Sequence, residues 1–372
     1  MLKQLLSLPL EKKIGQLFFI GLPSVELDTE TRKLLDEISP GGICLFARNI
    51  RSSEQTRKLL DEIRADSFAE PFFSIDEEGG RVDRLRRIIT PMPAANLIKT
   101  TKEAETLAQI TAEILRMLGF NMNFAPVVDV IDEEREKFCN GLYSRAFGTS
   151  KEKVAEIAGV YLKTLQNAGC LGCLKHFPGL GASVTDSHED LPTVDLTGEE
   201  LFGIDLFPYQ KLLQTSQVHA VMVAHATFPK LHLQEADSGG KLLPSSLSRN
   251  FVSQLLRHEL KFNGLIITDD LEMGAIVNNY TIGKACKLAI AAGEDMLSIC
   301  ANSDAIREGY FTILDAVKMG EFSVARIDES IERIARVKSQ VQSPLPLKNE
   351  RLIILSEQIV ELNKQVNNSY GG

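Results

Sequence analysis

The chain has 372 residues, 44% of them hydrophobic and 24% charged, proportions of an ordinary globular protein with a sizeable core. A formal net charge of −9 argues against nucleic acid or an anionic membrane held through bulk electrostatics, and no run reaches the roughly 18 continuous apolar residues of a membrane helix. Six cysteines in so long a chain read as reduced, buried thiols, and the one close pair, Cys170-x2-Cys173, has no second pair at zinc-finger spacing.

In chain order, the N-terminal "MLKQLLSLPLEKKIGQLFF" has a proline and two lysines where a signal peptide would carry its apolar run. A cytoplasmic location is therefore expected. Short apolar runs suited to buried parallel strands follow at 16–21, 41–46, 71–76, 123–129, 173–178, 220–226, 265–270 and 295–300. Between them lie amphipathic stretches such as "SSEQTRKLLDEIRAD", "KEKVAEIAGVYLKTLQNAG", "SLSRNFVSQLLRHEL" and "GKACKLAIAAGE". The first opens on Ser and the last stops near Gly, as helices prefer. Nearly continuous hydrophobic strands alternating with helices imply a parallel sheet covered on both faces. Eight such units predict an α/β protein built as a (β/α)8 TIM-type barrel, with a single catalytic domain over 1–343. "SPLPLK" (343–348) marks the one boundary, and residues 344–372 are expected to form a C-terminal helical extension packed on the barrel, with a frayed tail.

The strands end in residues able to do chemistry: Asp76, Asp129, Lys175 with His176, His225, and Asp269 with Asp270. In a (β/α)8 barrel these ends converge on one face, where active sites sit. The polar loop "KHFPGLGASVTDSHEDLP" (175–192) adds Asp186 and His188 to that face. Cofactor signatures fail. Gly179-x-Gly181 lacks a third glycine and a following helix, and neither a phosphate-cradling GxxxxGK[ST] nor an HExxH occurs. Lys175 beside His176 would repel a cation, so no metal and no cofactor are expected. What remains suits general acid/base or nucleophilic catalysis on a polar substrate that is uncharged or anionic.

"IDEEGGRVDRL" (75–85), "NMNFAPVVDV" (121–130), "SRAFG" (144–148), "KHFPG" (175–179), "DSH" (186–188), "MVAHATFP" (222–229) and "ITDDLEM" (267–273) stand in the order in which glycoside hydrolase family 3 carries its motifs. The chain resembles that family over roughly residues 8–335, and "GGICLFARNI" (41–50) resembles its bacterial β-N-acetylglucosaminidase branch. The resemblance implies a (β/α)8-type catalytic domain. It also implies that His188 is the general acid/base and Asp186 its orienting partner. An aspartate on one ring nitrogen fixes the tautomer and steadies the cationic form.

By the same resemblance Asp269 is the nucleophile of a retaining double displacement. Side-chain alternation would turn its neighbour Asp270 to the other side, and spacing alone does not say which of the two faces the site. Asp76, Arg84, Arg145, Lys175 and His176 match the family's sugar-binding positions, and Met273 is expected to line the sugar pocket. Two departures stand out. Leu180 occupies a position where the branch usually has His, and Glu77 one where it often has Gln.

The implied activity is that of an exo-acting β-N-acetylglucosaminidase on muropeptide or chitooligosaccharide fragments, in peptidoglycan recycling. Its expected partner is a small N-acetylglucosaminide, with no nucleic acid and no membrane, and the chain is expected to act as a monomer. Attack by the sugar's own acetamido oxygen is the rival route. A phosphorylase of the same fold and a catalytically inactive sugar-binding protein are the rival functions.

Overall fold

The computed structural model describes residues 1–139, 141–187, 189–214 and 218–368. Eight strands, all parallel, close into a barrel: β1 (Phe18–Gly21), β2 (Gly42–Leu45), β3 (Phe72–Ile75), β4 (Met122–Asn123), β5 (Leu171–Phe177), β6 (Ala220–Val223), β7 (Leu265–Asp270) and β8 (Met296–Ile299). Closure is direct, because β1 pairs with β2 on one side and with β8 on the other. Each predicted apolar run contributes one strand, so the expected barrel is the observed one.

Local chemistry sets the elements. The Ser53–Asp66 helix is capped by Ser52, whose side chain accepts from the Gln55 N–H, and the Lys151–Asn167 helix is capped in the same way by Ser150. The Ile282–Ala292 helix ends on Gly293 at φ 116°, a backbone that glycine adopts without strain. The "SLSRNFVSQLLRHEL" segment is helical as expected, but wound as a π-helix over Asn250–Glu259.

Inside the barrel the Phe19 ring packs on Phe72 (5.9 Å between centroids) and Phe124 (5.3 Å). Gly42 makes room for it, since a Cβ there would lie 2.1 Å from that ring. Below this aromatic layer Lys338, the last residue of the Val324–Lys338 helix, reaches under Phe72 (5.5 Å to the ring centre) and donates to Gln16 at 2.9 Å. The Asn349–Asn368 helix lies against the Thr101–Leu118 helix, burying Leu352, Leu355, Ile359, Leu362 and Val366. No helix among the described residues is long and apolar enough to cross a membrane.

Three irregularities at the carboxyl end of the barrel shape the site. Strand β4 stops at Asn123 although the apolar run continues to Asp129. Pro126 has no N–H for a ladder, and only Val127 rejoins the sheet, bridging Lys175. After β3 a two-stranded hairpin, Glu77–Gly79 with Val82–Asp83, rises over the barrel mouth. On β7 the pairing with β8 slips by one residue: Met296 faces Ile267 while Ser298 faces Asp270. The extra residue is a β-bulge, which re-aims side chains.

Candidate active site

The strand ends and the hairpin enclose a cavity of about 350 Å³ at the carboxyl face of the barrel, lined among others by Asp76, Arg84, Arg145, Lys175, His176, Asp186, Asp269 and Met273. These are the site residues expected from the sequence, except His188, which lies outside the described residues. A larger cavity of about 510 Å³ lies at the opposite, amino-terminal end, between the Thr29–Ile38 and Ser53–Asp66 helices. Its Arg32 and Asp66 pair with each other, and it lacks a converging set of acids and bases.

One wall of the mouth cavity is a buried chain of ion pairs. Lys175 Nζ, at the end of β5, donates to Asp76 Oδ1 at 2.7 Å and lies 2.6 Å from Glu78 Oε1. Arg145 grips Glu78 with both arms, Nε to Oε2 at 2.7 Å and Nη2 to Oε1 at 2.9 Å. Burial pushes the Glu78 carboxyl up, but Arg145 and Lys175 outweigh it and hold the group far below the usual range. Burial likewise opposes the Lys175 charge, yet Asp76 and Glu78 raise its pKa above the ordinary value. Arg84 lies 3.7 Å from Asp76 Oδ2, its guanidinium 5.6 Å from the Phe46 ring centre, and its buried Nε has no hydrogen-bond partner among the described residues.

Behind this wall His176 Nδ1 meets Asp129 Oδ2 at 2.8 Å, while Arg145 Nη2 stands 3.3 Å from Nε2. A guanidinium only donates, so Nε2 accepts and Nδ1 turns its proton toward Asp129. The other Asp129 oxygen takes the Leu180 N–H at 2.7 Å. Leu180 therefore serves this network through its backbone, and its side chain is buried in the core. Asp129 orients the site from behind without lining it. Glu78 was not singled out from the sequence; its position two residues after Asp76 was the available signal.

Asp269 and Asp270 both line the cavity. The Asp270 carboxyl accepts the Glu272 N–H at 3.1 Å, and the β7 bulge lies between the pairings of Ile267 and Asp270. The two carboxyls nonetheless differ. For Asp269, burial raises the pKa, but His176, His225, the Asp270 N–H and Lys175 reverse the effect and bring it below the ordinary value. For Asp270, burial dominates and Glu272 and Asp269 add to it, so its carboxyl is pushed up to about 7. The surroundings of Asp269 favour its ionised form and those of Asp270 its protonated form.

His225 does not line the cavity. It is buried between Ser246 Oγ (2.6 Å from Nδ1) and the Asp270 carbonyl (3.1 Å from Nε2), bracing the end of β7. Burial lowers its pKa, and with both ring nitrogens engaged it braces the strand and does not reach into the cavity. The loop that carries Asp186 is tied to the turn after β7: Ala275 N donates to the Ser187 carbonyl at 3.1 Å and Asn278 Nδ2 to the Glu189 carbonyl at 3.0 Å.

Comparison with known proteins agrees with this architecture. A Pseudomonas aeruginosa protein named beta-hexosaminidase is 35% identical over 281 residues, covering 74% of this chain and 79% of its own length. Its Haemophilus influenzae namesake is 31% identical over 312 residues, covering 81% of this chain and 83% of its own. A solved glycoside hydrolase family 3 β-N-acetylglucosaminidase from Paenibacillus sp. str. FPU-7 superposes with a TM-score of 0.85 at 33% identity, over 96% of this chain and 69% of that one. The family description "Glycosyl hydrolase family 3 N terminal domain" matches residues 9–337, and the chain belongs to glycosyl hydrolase family 3.

Proposed function

We propose that this glycoside hydrolase is an exo-acting, retaining β-N-acetylglucosaminidase that removes a non-reducing terminal N-acetylglucosamine from muropeptide or chitooligosaccharide fragments. The observation that carries the reading is the place of Asp269, at the end of β7 in a cavity also lined by a set of fixed donors and acceptors suited to hydroxyl groups. The names of the relatives at 30–35% identity support the sugar.

In this mechanism the hydroxyls of the terminal sugar bond to Asp76, Lys175, Arg84 and Arg145, with His176 completing the wall. Asp269 attacks the anomeric carbon while His188, oriented by Asp186, protonates the departing oxygen. The imidazole then takes a proton from water, and the hydroxide so generated releases the sugar from Asp269. Asp186 lines the same cavity as Asp269, which supports its part in this pairing. A cytoplasmic place in peptidoglycan recycling, with no cofactor, belongs to the same proposal. Six buried free thiols fit a reducing compartment.

The test is turnover of a nitrophenyl N-acetyl-β-glucosaminide with product analysis in the presence and absence of phosphate. Free N-acetylglucosamine under both conditions supports the proposal. Sugar 1-phosphate makes the protein a phosphorylase, and binding without turnover makes it a sugar-binding protein.

A further inference from the structure

The hairpin over the barrel mouth carries Glu78, Arg81 and Arg84 into the site, and beneath it lies a pair of carboxyl groups that the mechanism does not use. Glu77 and Asp83 face each other across the hairpin ladder and are 1% and 4% exposed. Both converge on a single N–H, that of Leu85: Glu77 Oε2 at 3.1 Å and Asp83 Oδ1 at 3.0 Å. Among the described residues neither has an ion pair. Asp83 is satisfied on both oxygens, since its Oδ2 takes the Met92 N–H at 3.0 Å. Glu77 is not: Oε2 also accepts from Arg84 N at 2.9 Å, but Oε1 is buried and has no donor.

Two buried carboxylates on one donor repel each other, and a proton on one of them relieves both the repulsion and the desolvation. We propose that Glu77 works as an uncharged acid, with its proton on Oε1 shared toward Asp83, and that this proton holds the hairpin closed over the sugar site. Glu77 is thus a positioning residue that acts through Arg84, whose backbone it binds, and through its neighbour Glu78. Burial and the Asp83 charge both favour the neutral form.

Among the described residues the nearest further cation is Arg86, which is spent on backbone carbonyls, Nε on Asp83 at 3.1 Å and Nη2 on Gly80 at 2.6 Å, and makes no ion pair with either carboxyl. Strand β4 offers Asn123, which holds the Glu77 backbone through bonds of 2.9 and 2.8 Å. The Lys151–Asn167 helix offers Tyr161, 3.4 Å from the Asn123 amide and kept neutral by burial. On the hairpin itself Glu78 is occupied by Arg145 and Lys175, and Arg84 pairs with Asp76. The position where the family branch often has Gln therefore holds a carboxylic acid of the same shape, which donates an O–H where the amide would donate an N–H.

The sign of the pH effect follows. The folded state keeps a proton that the unfolded chain loses above the ordinary Glu range. Stability from this group is therefore complete below about pH 4 and declines as pH rises toward the folded pKa.

The experiment compares wild type with Glu77→Gln by thermal unfolding from pH 4.5 to 9, by infrared spectroscopy, and by kcat/KM on a nitrophenyl N-acetyl-β-glucosaminide. The amide should give a melting temperature equal to wild type near pH 4.5 and higher by roughly a few degrees at pH 8.5. It should remove one protonated-carboxyl stretch from the infrared spectrum and keep kcat/KM within about threefold at pH 6. Superimposable melting profiles, or an unchanged carboxyl band, would overturn the proposal. If Glu77→Gln does not fold, Asp83→Asn removes the opposing charge and should flatten the same alkaline decline; an unflattened decline overturns it equally. The role in catalysis rests on the proposed glycosidase reading. However, melting and infrared need no turnover, so loss of that reading and loss of this one are separable.

Discussion

Lys175 and Arg145 both bond to Glu78, and the burial of Glu78 and Lys175, with Arg145 half-buried beside them, makes their geometry stiff. Removing one partner of such a buried set typically costs about 3–5 kcal/mol, so this wall is rigid before any sugar enters. Against it stand Asp269 and Asp270, whose environments shift their carboxyls in opposite directions. Asp269→Ala should lower kcat by about 10⁴-fold or more, and a 2-fluoro glycoside should label Asp269 alone. Labelling of Asp270 by mass spectrometry would reverse the assignment. For His188→Ala the loss should be greatest with a poor leaving group, because a good one leaves without a proton. Cleavage of a natural disaccharide should fall at least 100-fold further than the first step on a nitrophenyl glycoside, and azide should restore turnover. Equal losses on both substrates, without rescue, would place the acid elsewhere. These proposed roles rest on the order of motifs. Glu78 was not legible in that order, because its partners lie 67 and 97 residues away and only the folded barrel brings them together.

At the scale of single elements, strands were legible because buried parallel strands read as nearly continuous apolar runs. The exceptions have local causes: Pro126 ends β4 early, and the β7 bulge depends on pairing with β8, which no pattern within "LIITDD" encodes. The Val324–Lys338 helix bears a second unforeseen feature. Burial pushes the Lys338 amine down to about 7, with Glu70 opposing weakly. Because the folded pKa is lowered, the unfolded chain binds the extra proton between about pH 7 and 10.5, and stability rises with pH across that window. Lys338→Met should therefore raise stability most at pH 7 and below, by roughly 1–3 kcal/mol after the loss of the Gln16 contact, as measured by denaturant unfolding. The gain should vanish near pH 10. A variant destabilised at pH 6 would show that the charge is accommodated under Phe72.

For the whole molecule, the division at residue 343 remains a proposal, and the packing of the Asn349–Asn368 helix supplies its test. Five apolar side chains and the Arg351–Glu113 pair seat that helix on the barrel flank, away from the mouth cavity. A chain ending at 343 should melt lower, on the order of 5 °C, yet keep its KM for the nitrophenyl glycoside. A large rise in KM would tie the extension to the sugar site. The link between the Asp186 loop and the turn after β7 has a different consequence. Ser187 and Glu189 are fastened to Ala275 and Asn278, only a few residues past Asp269. The segment that would deliver the proton thus shares an anchorage with the strand that would deliver the nucleophile. In the proposed mechanism a sugar that clamps one would steady the other, and the two ends of the scissile bond would be addressed from a common mount.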